Sequence, residues 1–166
     1  MTSEAKTRGG PVLAALLILA LLVADQAIKF WVEQTLPFQE MVPVVPYFAL
    51  YRTWNEGVAF SFLSNVDGWV IIALRIAIVG FVLWWWRSAQ NTGFLVHAGF
   101  LLIIAGALGN IADRFIYGHV VDYVLFHTDT WSFAVFNLAD SLISVGAVTV
   151  GIAELFFTRK EPAGSN

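Results

Sequence analysis

Four long stretches of apolar residues divide the chain, and each is near the ~20 residues that a bilayer-spanning helix needs. They cover roughly residues 12–32, 69–86, 93–111 and 134–157. Polar residues gather between these stretches and at the two ends of the chain. The pattern predicts an all-α membrane protein with four transmembrane helices, built as a single membrane-embedded domain over the whole chain.

The first apolar stretch also has the outline of a secretory signal peptide, because Lys6 and Arg8 precede it. It continues beyond signal-peptide length through Phe30 and Trp31, and it lacks a clean cleavage site of small residues. We therefore expect a retained transmembrane helix.

Basic residues flank the apolar stretches mainly on one side of the predicted membrane. These residues are Lys6, Arg8, Arg87, Arg159 and Lys160. The positive-inside rule therefore places both tails, 1–10 and 159–166, in the cytoplasm. The loops at about 33–68 and 112–133 then face outward.

The two outer loops have the composition of extended structure. Residues 41–63 and 118–126 are rich in β-branched and aromatic residues, and the first segment is interrupted by Pro43, Pro46 and Gly57. An open sheet edge in hydrocarbon would leave backbone groups unpaired. We therefore expect short strands at the membrane surface or against protein.

Composition supports the membrane assignment and excludes several functions. The chain is 58% hydrophobic and 13% charged, with a mean hydropathy of +0.74, whereas soluble domains carry roughly 25% charged residues. A net charge of −3 with scattered basic residues argues against a nucleic-acid partner. The absence of cysteine excludes disulfides, iron–sulfur ligation and a thiol nucleophile.

Polar residues interrupt the predicted helices and the first outer loop. Asp25 and Lys29 are four residues apart and share a helix face, which alone indicates a structural ion pair. Asn110 and Arg114 likewise share a helix face. Taken alone, Arg114 could simply pair with Asp113 or extend its guanidinium to the membrane interface. The segment containing Asn55 and Gly57 alone indicates only a turn.

Two further acids bracket the second outer loop. Asp122 alone is typical of a solvated loop acid, and Asp140 alone is typical of a helix cap. Asn137 lies three residues before Asp140 and faces the same way. The 17 residues between the two acids are enough for a hairpin that brings them together. Paired carboxyl groups in a desolvated site share a proton and can act as general base and general acid.

Other chemistry finds less support in the sequence. The three histidines lack metal-ligand spacing, and no serine has the His or Lys partners of a nucleophile. We therefore predict no metal and no cofactor. Acids within membrane helices also mark ion paths, so a small proton-coupled transporter is the alternative from another class.

The polar residues form blocks that together resemble one family. The blocks are Asp25-Gln26-x-x-Lys29, Asn55-x-Gly57-x-Ala59-Phe60, Gly106-Ala107-Leu108-Gly109-Asn110-x-x-Asp113-Arg114, Gly118-x-Val120-x-Asp122-Tyr123 and Phe136-Asn137-x-Ala139-Asp140-x-x-Ile143. In order and spacing the chain resembles the lipoprotein signal peptidases (signal peptidase II), four-helix aspartyl proteases of the bacterial inner membrane. Two positions depart from the family pattern: Ala105 replaces a common Gly, and Tyr123 replaces a common Phe.

The resemblance implies roles for the matching residues. It implies that Asp122 and Asp140 are the catalytic dyad. It also implies that a set of substrate-binding or supporting residues surrounds the dyad: Asp25, Lys29, Asn55, Gly57, Asn110, Arg114 and Asn137. The outer loops would form the family's small β-cradle on the membrane surface.

The implied activity is cleavage of diacylglyceryl-modified prolipoproteins on the N-terminal side of the lipidated Cys, near the outer face of the membrane. A transporter would need acids spread across the membrane, whereas the acids here gather near one face. A catalytically inactive relative that acts as an assembly factor is the third possibility, and the intact dyad argues against it. Four spans and one dyad require no partner subunit, so we expect a monomer surrounded by lipid.

Overall fold

The computed structural model describes residues 9–56, 68–88 and 93–156. Its helices are α1 (Gly9–Thr35), α2 (Gly68–Ser88), α3 (Phe94–Ile116) and α4 (Leu138–Phe156). Its strands are β1 (Met41–Val45), β2 (Phe48–Asn55) and β3 (Val120–Phe126). The expected combination of apolar helices and a small β-structure in the loops is therefore present.

Three of the described helices are long and apolar enough to cross a bilayer. They are Gly10–Thr35, Phe94–Ile116 and Leu138–Phe156. The remaining predicted span, 69–86, falls on α2, whose described portion includes a shorter apolar helix at Ile76–Ser88. Many apolar side chains on the outer helix faces are exposed, for example Leu16 and Phe81, as expected where the solvent is lipid.

The central helix is α3, which packs against each of the other three helices. Its closest partner is α4, because small residues face each other along this pair. A Cβ added at Gly146 would lie 2.6 Å from the carbonyl oxygen of Gly99, and one added at Gly106 would overlap the carbonyl oxygen of Ala139. Small residues allow the two backbones to approach closely, as is common between membrane helices.

The three strands form one antiparallel sheet in the order β1-β2-β3. β2 pairs with β3 so that Thr53 lies opposite Asp122 and Asn55 lies opposite Val120. After β3 the chain turns back, and Phe136 pairs with Val124 through reciprocal backbone hydrogen bonds. The strands predicted in the outer loops are thus observed as far as Asn55 and over 120–126, and so is the hairpin predicted between the two acids, whereas residues 57–63 of the first predicted segment lie outside the described residues.

Two helix ends differ from the prediction. α3 continues to Ile116 rather than ending near residue 111, so Asp113 and Arg114 lie within the helix. α4 begins at Leu138 rather than near residue 134, because Phe136 remains extended in its pairing with β3. Asn137 therefore precedes the helix instead of lying within its first turn.

Candidate active site

The predicted site residues that the structure describes meet at one end of the helix bundle. This end contains the second half of α1, the C-terminal turns of α3, the N-terminus of α4 and the edge of β3. Its buried polar residues are Asp25, Lys29, Asn110, Asp113, Arg114, Asp122 and Asn137. Buried charges are rare in proteins unless they are paired or hydrogen-bonded, so each of these groups requires a partner.

Asp122 lies on β3 and is only 2% exposed. Its Oδ2 accepts a hydrogen bond from the Asn55 side-chain amide at 3.0 Å. Its Oδ1 accepts one from the Asn137 side-chain amide at 2.6 Å. The two donors arrive from opposite sides, because β2 pairs with β3 on one side and the returning chain pairs with it on the other.

Asp140 occupies the third position of α4, and Asn137 is the residue that caps this helix. The Asp140 backbone N–H donates to Asn137 Oδ1 at 2.9 Å, and the Asn137 backbone N–H donates to Asp140 Oδ2 at 3.3 Å. This reciprocal arrangement is a capping box. The remaining carboxyl oxygen, Oδ1, accepts a hydrogen bond from the Asn110 side-chain amide at 2.7 Å. The prediction that Asp140 belongs to a helix cap is therefore correct, and the same carboxyl group is part of the candidate site.

Asn137 connects the two acids, since it donates a hydrogen bond to Asp122 and exchanges two with Asp140. Each of the four carboxyl oxygens of the pair accepts one hydrogen bond from a named amide. Every oxygen keeps further acceptor capacity. Both carboxyl groups are thus oriented by the protein and can still interact with a water or a substrate.

The surroundings of Asp122 favour its protonated form. Burial raises the pKa of Asp122 to about 6, and the nearby Asp140 carboxylate also raises it. Hydrogen bonds from Asn55 and Asn137 favour the charged form and oppose the shift. Burial prevails, because desolvation penalises the carboxylate more than the two amides stabilise it.

A cluster of buried charges is linked to the acid pair through Asn110, which contacts both Lys29 and Asp140. Lys29 Nζ contacts Asp25 Oδ2 at 2.8 Å and Asp113 Oδ2 at 2.7 Å, and it donates to Asn110 Oδ1 at 3.2 Å. The three donors of the ammonium group are therefore occupied. The ion pair predicted between Asp25 and Lys29 is confirmed, and Asp113 is a second partner.

Side chains from different elements satisfy the N–H groups at the start of α4. Leu138 N–H donates to Tyr123 Oη at 3.2 Å, and Ala139 N–H donates to Asp25 Oδ1 at 3.1 Å. These groups have no partner within a helix, and a carboxylate at this end also interacts favourably with the helix dipole. The position of Asp140 is thus fixed from both α1 and β3.

Arg114 fixes the end of β2 relative to α3. Its guanidinium donates to the backbone oxygen of Asn55 at 3.0 Å and to that of Gly118 at 3.5 Å. Arg114 therefore holds the backbone from which the Asn55 side chain reaches Asp122. The remaining predicted site residue, Gly57, lies outside the described residues.

The structure adds three residues that the sequence prediction did not place in the site: Gln26, Asp113 and Tyr123. Gln26 Nε2 donates to Asp113 Oδ1 at 2.7 Å and to the Gly109 backbone oxygen at 3.2 Å. Asp113 Oδ2 also accepts the backbone N–H of Val121 at 3.2 Å. A signal for Asp113 was available, because it lies three residues after Asn110 and shares its helix face.

Comparisons with known proteins identify similar chains. A family model described as signal peptidase (SPase) II matches residues 17–157. The lipoprotein signal peptidase of Sinorhizobium fredii is 61% identical over 150 residues, which is 90% of this chain and 90% of that protein. The lipoprotein signal peptidase of Allorhizobium ampelinum is 58% identical over 160 residues, which is 96% of this chain and 98% of that protein.

A solved structure has the same fold. It is a bacterial membrane enzyme determined by the in meso method at 1.9 Å resolution, with a TM-score of 0.77 and 26% sequence identity. The match covers 88% of this chain and 94% of that chain.

Proposed function

This chain belongs to the signal peptidase II family, and from that membership we propose that it is a membrane peptidase that removes signal peptides from prolipoproteins, with Asp122 and Asp140 as its catalytic pair. The observation that carries the assignment of the pair is the shared partner Asn137, which hydrogen-bonds both carboxyl groups. Two oriented carboxyl groups that share one proton are what an aspartic peptidase needs.

In the proposed mechanism the more buried acid, Asp122, holds the shared proton, and the half-buried Asp140 acts first as the base. Asp140 takes a proton from water as the water oxygen attacks the scissile carbonyl carbon. Asp122 donates its proton to the carbonyl oxygen, which yields a tetrahedral gem-diol. As the C–N bond breaks, Asp140 gives its proton to the leaving amine, and the new carboxyl group returns a proton to Asp122.

The supporting residues fall into two groups in this proposal. Asn55, Asn110 and Asn137 orient the carboxyl groups through direct hydrogen bonds. Three others hold the elements that carry those amides, through the contacts described above: Asp25, Lys29 and Arg114. Gly57 follows Asn55 closely in the sequence, and its supporting role is proposed from the family alone.

The location of the site suits a substrate that is anchored in lipid. We propose four membrane spans in one domain, because α2 is 21 residues long and a helix of that length rises about 31 Å. The dyad then lies near the outer face of the bacterial inner membrane, and both termini are cytoplasmic. A diacylglyceryl-modified prolipoprotein could keep its acyl chains in the bilayer while its scissile amide, N-terminal to the lipidated Cys, reaches the site. One chain supplies the whole site, which supports a monomer.

The first test is cleavage of a diacylglyceryl-modified prolipoprotein by the purified protein in detergent. Asp122→Asn and Asp140→Asn should each lower kcat/KM by at least about 100-fold, because each removes a proton-transferring group. Asp129→Asn is the matched control, since Asp129 is an exposed acid in the loop between the other two. It should cleave at the wild-type rate.

Two results would contradict the proposal. Failure of the folded wild type on several lipidated substrates would exclude the peptidase activity. Full activity in Asp140→Asn would leave the peptidase activity intact and exclude the proposed catalytic pair.

A further inference from the structure

A concave site lies at the opposite end of the bundle from the acid pair. It is a groove of about 750 Å³ between the start of α1, the end of α2 and the start of α3. Its lining residues include Ala14, Leu17, Leu83, Trp86, Arg87 and His97. His97 and Asn110 are both on α3, and at 1.5 Å per residue the groove lies about 20 Å along the helix from the site.

The groove exists because α1 and α2 both pack on α3, while the described parts of α1 and α2 make little contact with each other. Its walls are mostly apolar, and several of them face outward. Leu13, Leu17 and Leu83 are each more than 40% exposed. A slot of this kind between membrane helices is open to an acyl chain from the surrounding lipid.

The polar end of the groove carries positive charge. Arg87 lies in the last turn of α2, and no carboxylate is found among the lining residues or paired with Arg87 in the described ranges. The same end contains the N-terminus of α3, where Gly93 provides no side-chain cap. Unsatisfied N–H groups at a helix N-terminus favour anions. The guanidinium and the helix end therefore both complement a negatively charged group beside an apolar slot.

We propose that this groove binds one anionic phospholipid. An acyl chain lies between α1 and α2, and the phosphate lies at Arg87. A guanidinium is suited to this role because it can donate two parallel hydrogen bonds to phosphate oxygens. Basic pockets between membrane helices are general sites for anionic headgroups on the cytoplasmic side, which is the side proposed for this end of the bundle.

The test measures how strongly the delipidated full-length protein binds two lipids with the same acyl chains. Dioleoylphosphatidylglycerol or dioleoylphosphatidylcholine is added in a zwitterionic detergent, and native mass spectrometry counts the bound lipids. The wild type should prefer phosphatidylglycerol by about fivefold, the factor expected for one basic residue near an anionic lipid. Arg87→Gln should remove this preference.

Two further variants separate the parts of the proposal. Arg159→Gln removes a charge that follows α4 in the sequence, and it should retain the preference. Ala14→Phe fills the apolar slot while keeping Arg87, and it should weaken binding of both lipids. Because Arg87 and Ala14 are outside the catalytic machinery, prolipoprotein cleavage at the wild-type rate serves as the folding control for both.

Several outcomes would overturn the proposal. They are equal binding of the two lipids by the wild type, an unchanged preference in folded Arg87→Gln, or unchanged binding in folded Ala14→Phe. Displacement of the lipid by millimolar inorganic phosphate would also overturn it, because the site would then bind the free anion rather than a phospholipid.

Discussion

All four polar atoms of Asn137 form hydrogen bonds, and three of them bind Asp122 or Asp140. Its side chain donates to Asp122 and accepts from the Asp140 backbone, its own N–H donates to Asp140, and its carbonyl accepts from Ser141. A single residue thus starts α4 and orients both acids. Stability and catalysis depend on different atoms of this side chain, so substitution can separate them.

Asn137→Ser and Asn137→Ala are expected to differ in stability and agree in activity. Serine can still cap α4, whereas alanine should cost about 1 kcal/mol of unfolding free energy. Both remove the amide that donates to Asp122, so both should lower kcat/KM by at least about tenfold. Thermal unfolding in detergent and the cleavage assay measure the two effects. Wild-type activity in Asn137→Ser would show that the amide does not orient Asp122.

The pH dependence of activity should report on Asp122. Above a pKa of about 6 the free enzyme loses the shared proton, so kcat/KM should fall as the pH rises through this value. Asn55→Ala removes a hydrogen bond to the ionised form. The pKa of Asp122 should therefore rise, and the falling limb should move to higher pH by up to about one unit.

The matched control for the pH experiment is Glu40→Gln, which removes an exposed acid beyond the predicted site. It should leave the falling limb where it is in the wild type. A profile that is flat from pH 4 to 9, or a limb that moves to lower pH in Asn55→Ala, would contradict the proposed sharing of one proton.

Among the elements, the α3–α4 pair determines where Asp140 lies relative to Asn110. The two backbones approach each other at glycines, and the first turn of α4 is held by Asp25 and Tyr123. Tyr123 is one of the two departures from the family pattern, and here its hydroxyl accepts the N–H of Leu138. A change in the spacing between these two helices would therefore change the distance between Asn110 and Asp140.

Gly146→Ala should destabilise the protein and lower its activity. The added Cβ would lie 2.6 Å from the Gly99 carbonyl oxygen and 3.0 Å from the Ile103 nitrogen, and both are backbone atoms. The helices must separate, at a cost of about 1–3 kcal/mol. Gly151→Ala is the matched control on the same helix, because nothing in the described ranges lies within 4 Å of its added Cβ. A thermal unfolding scan that ranks Gly146→Ala equal to or above Gly151→Ala would contradict this packing.

At the scale of the whole molecule, the buried charges join elements that are distant in sequence. Lys29 on α1 binds Asp113 on α3, and Asp113 accepts a backbone N–H from β3. Asp25 on α1 accepts a backbone N–H from α4. Three helices and the sheet therefore meet at a network with no exposed charge.

Lys29→Met is expected to destabilise the fold by about 3–5 kcal/mol, because it leaves two buried carboxyl groups without their cation. Adding Asp113→Asn should recover part of this loss by removing one of the carboxylates. Arg52→Gln is the comparison, since its partly exposed pair with Glu33, at 3.8 Å, should contribute under about 1 kcal/mol. Unfolding in detergent measures all of these variants. Equal losses for Lys29→Met and Arg52→Gln would contradict the importance of the buried network.

The positions of individual residues show how far the sequence could predict the site. The i, i+4 spacing of Asp25 and Lys29 predicted their ion pair correctly. It could not identify Asp113 as the second partner, because that contact depends on how α1 packs against α3. Similarly, Asn137 was predicted to face the same way as Asp140, whereas pairing of Phe136 with β3 places Asn137 just before the helix as its cap.

The sequence by itself determined the apolar helices, the extended segments between them and the family. These features depend on local composition, period and motif order, which are written along the chain. The tertiary structure alone decided which amide meets which carboxyl oxygen and how α4 is held at its start. These contacts join residues that are far apart in sequence, such as Asn55 with Asp122 and Asp25 with Ala139. They form only when helix packing and strand register bring those residues together.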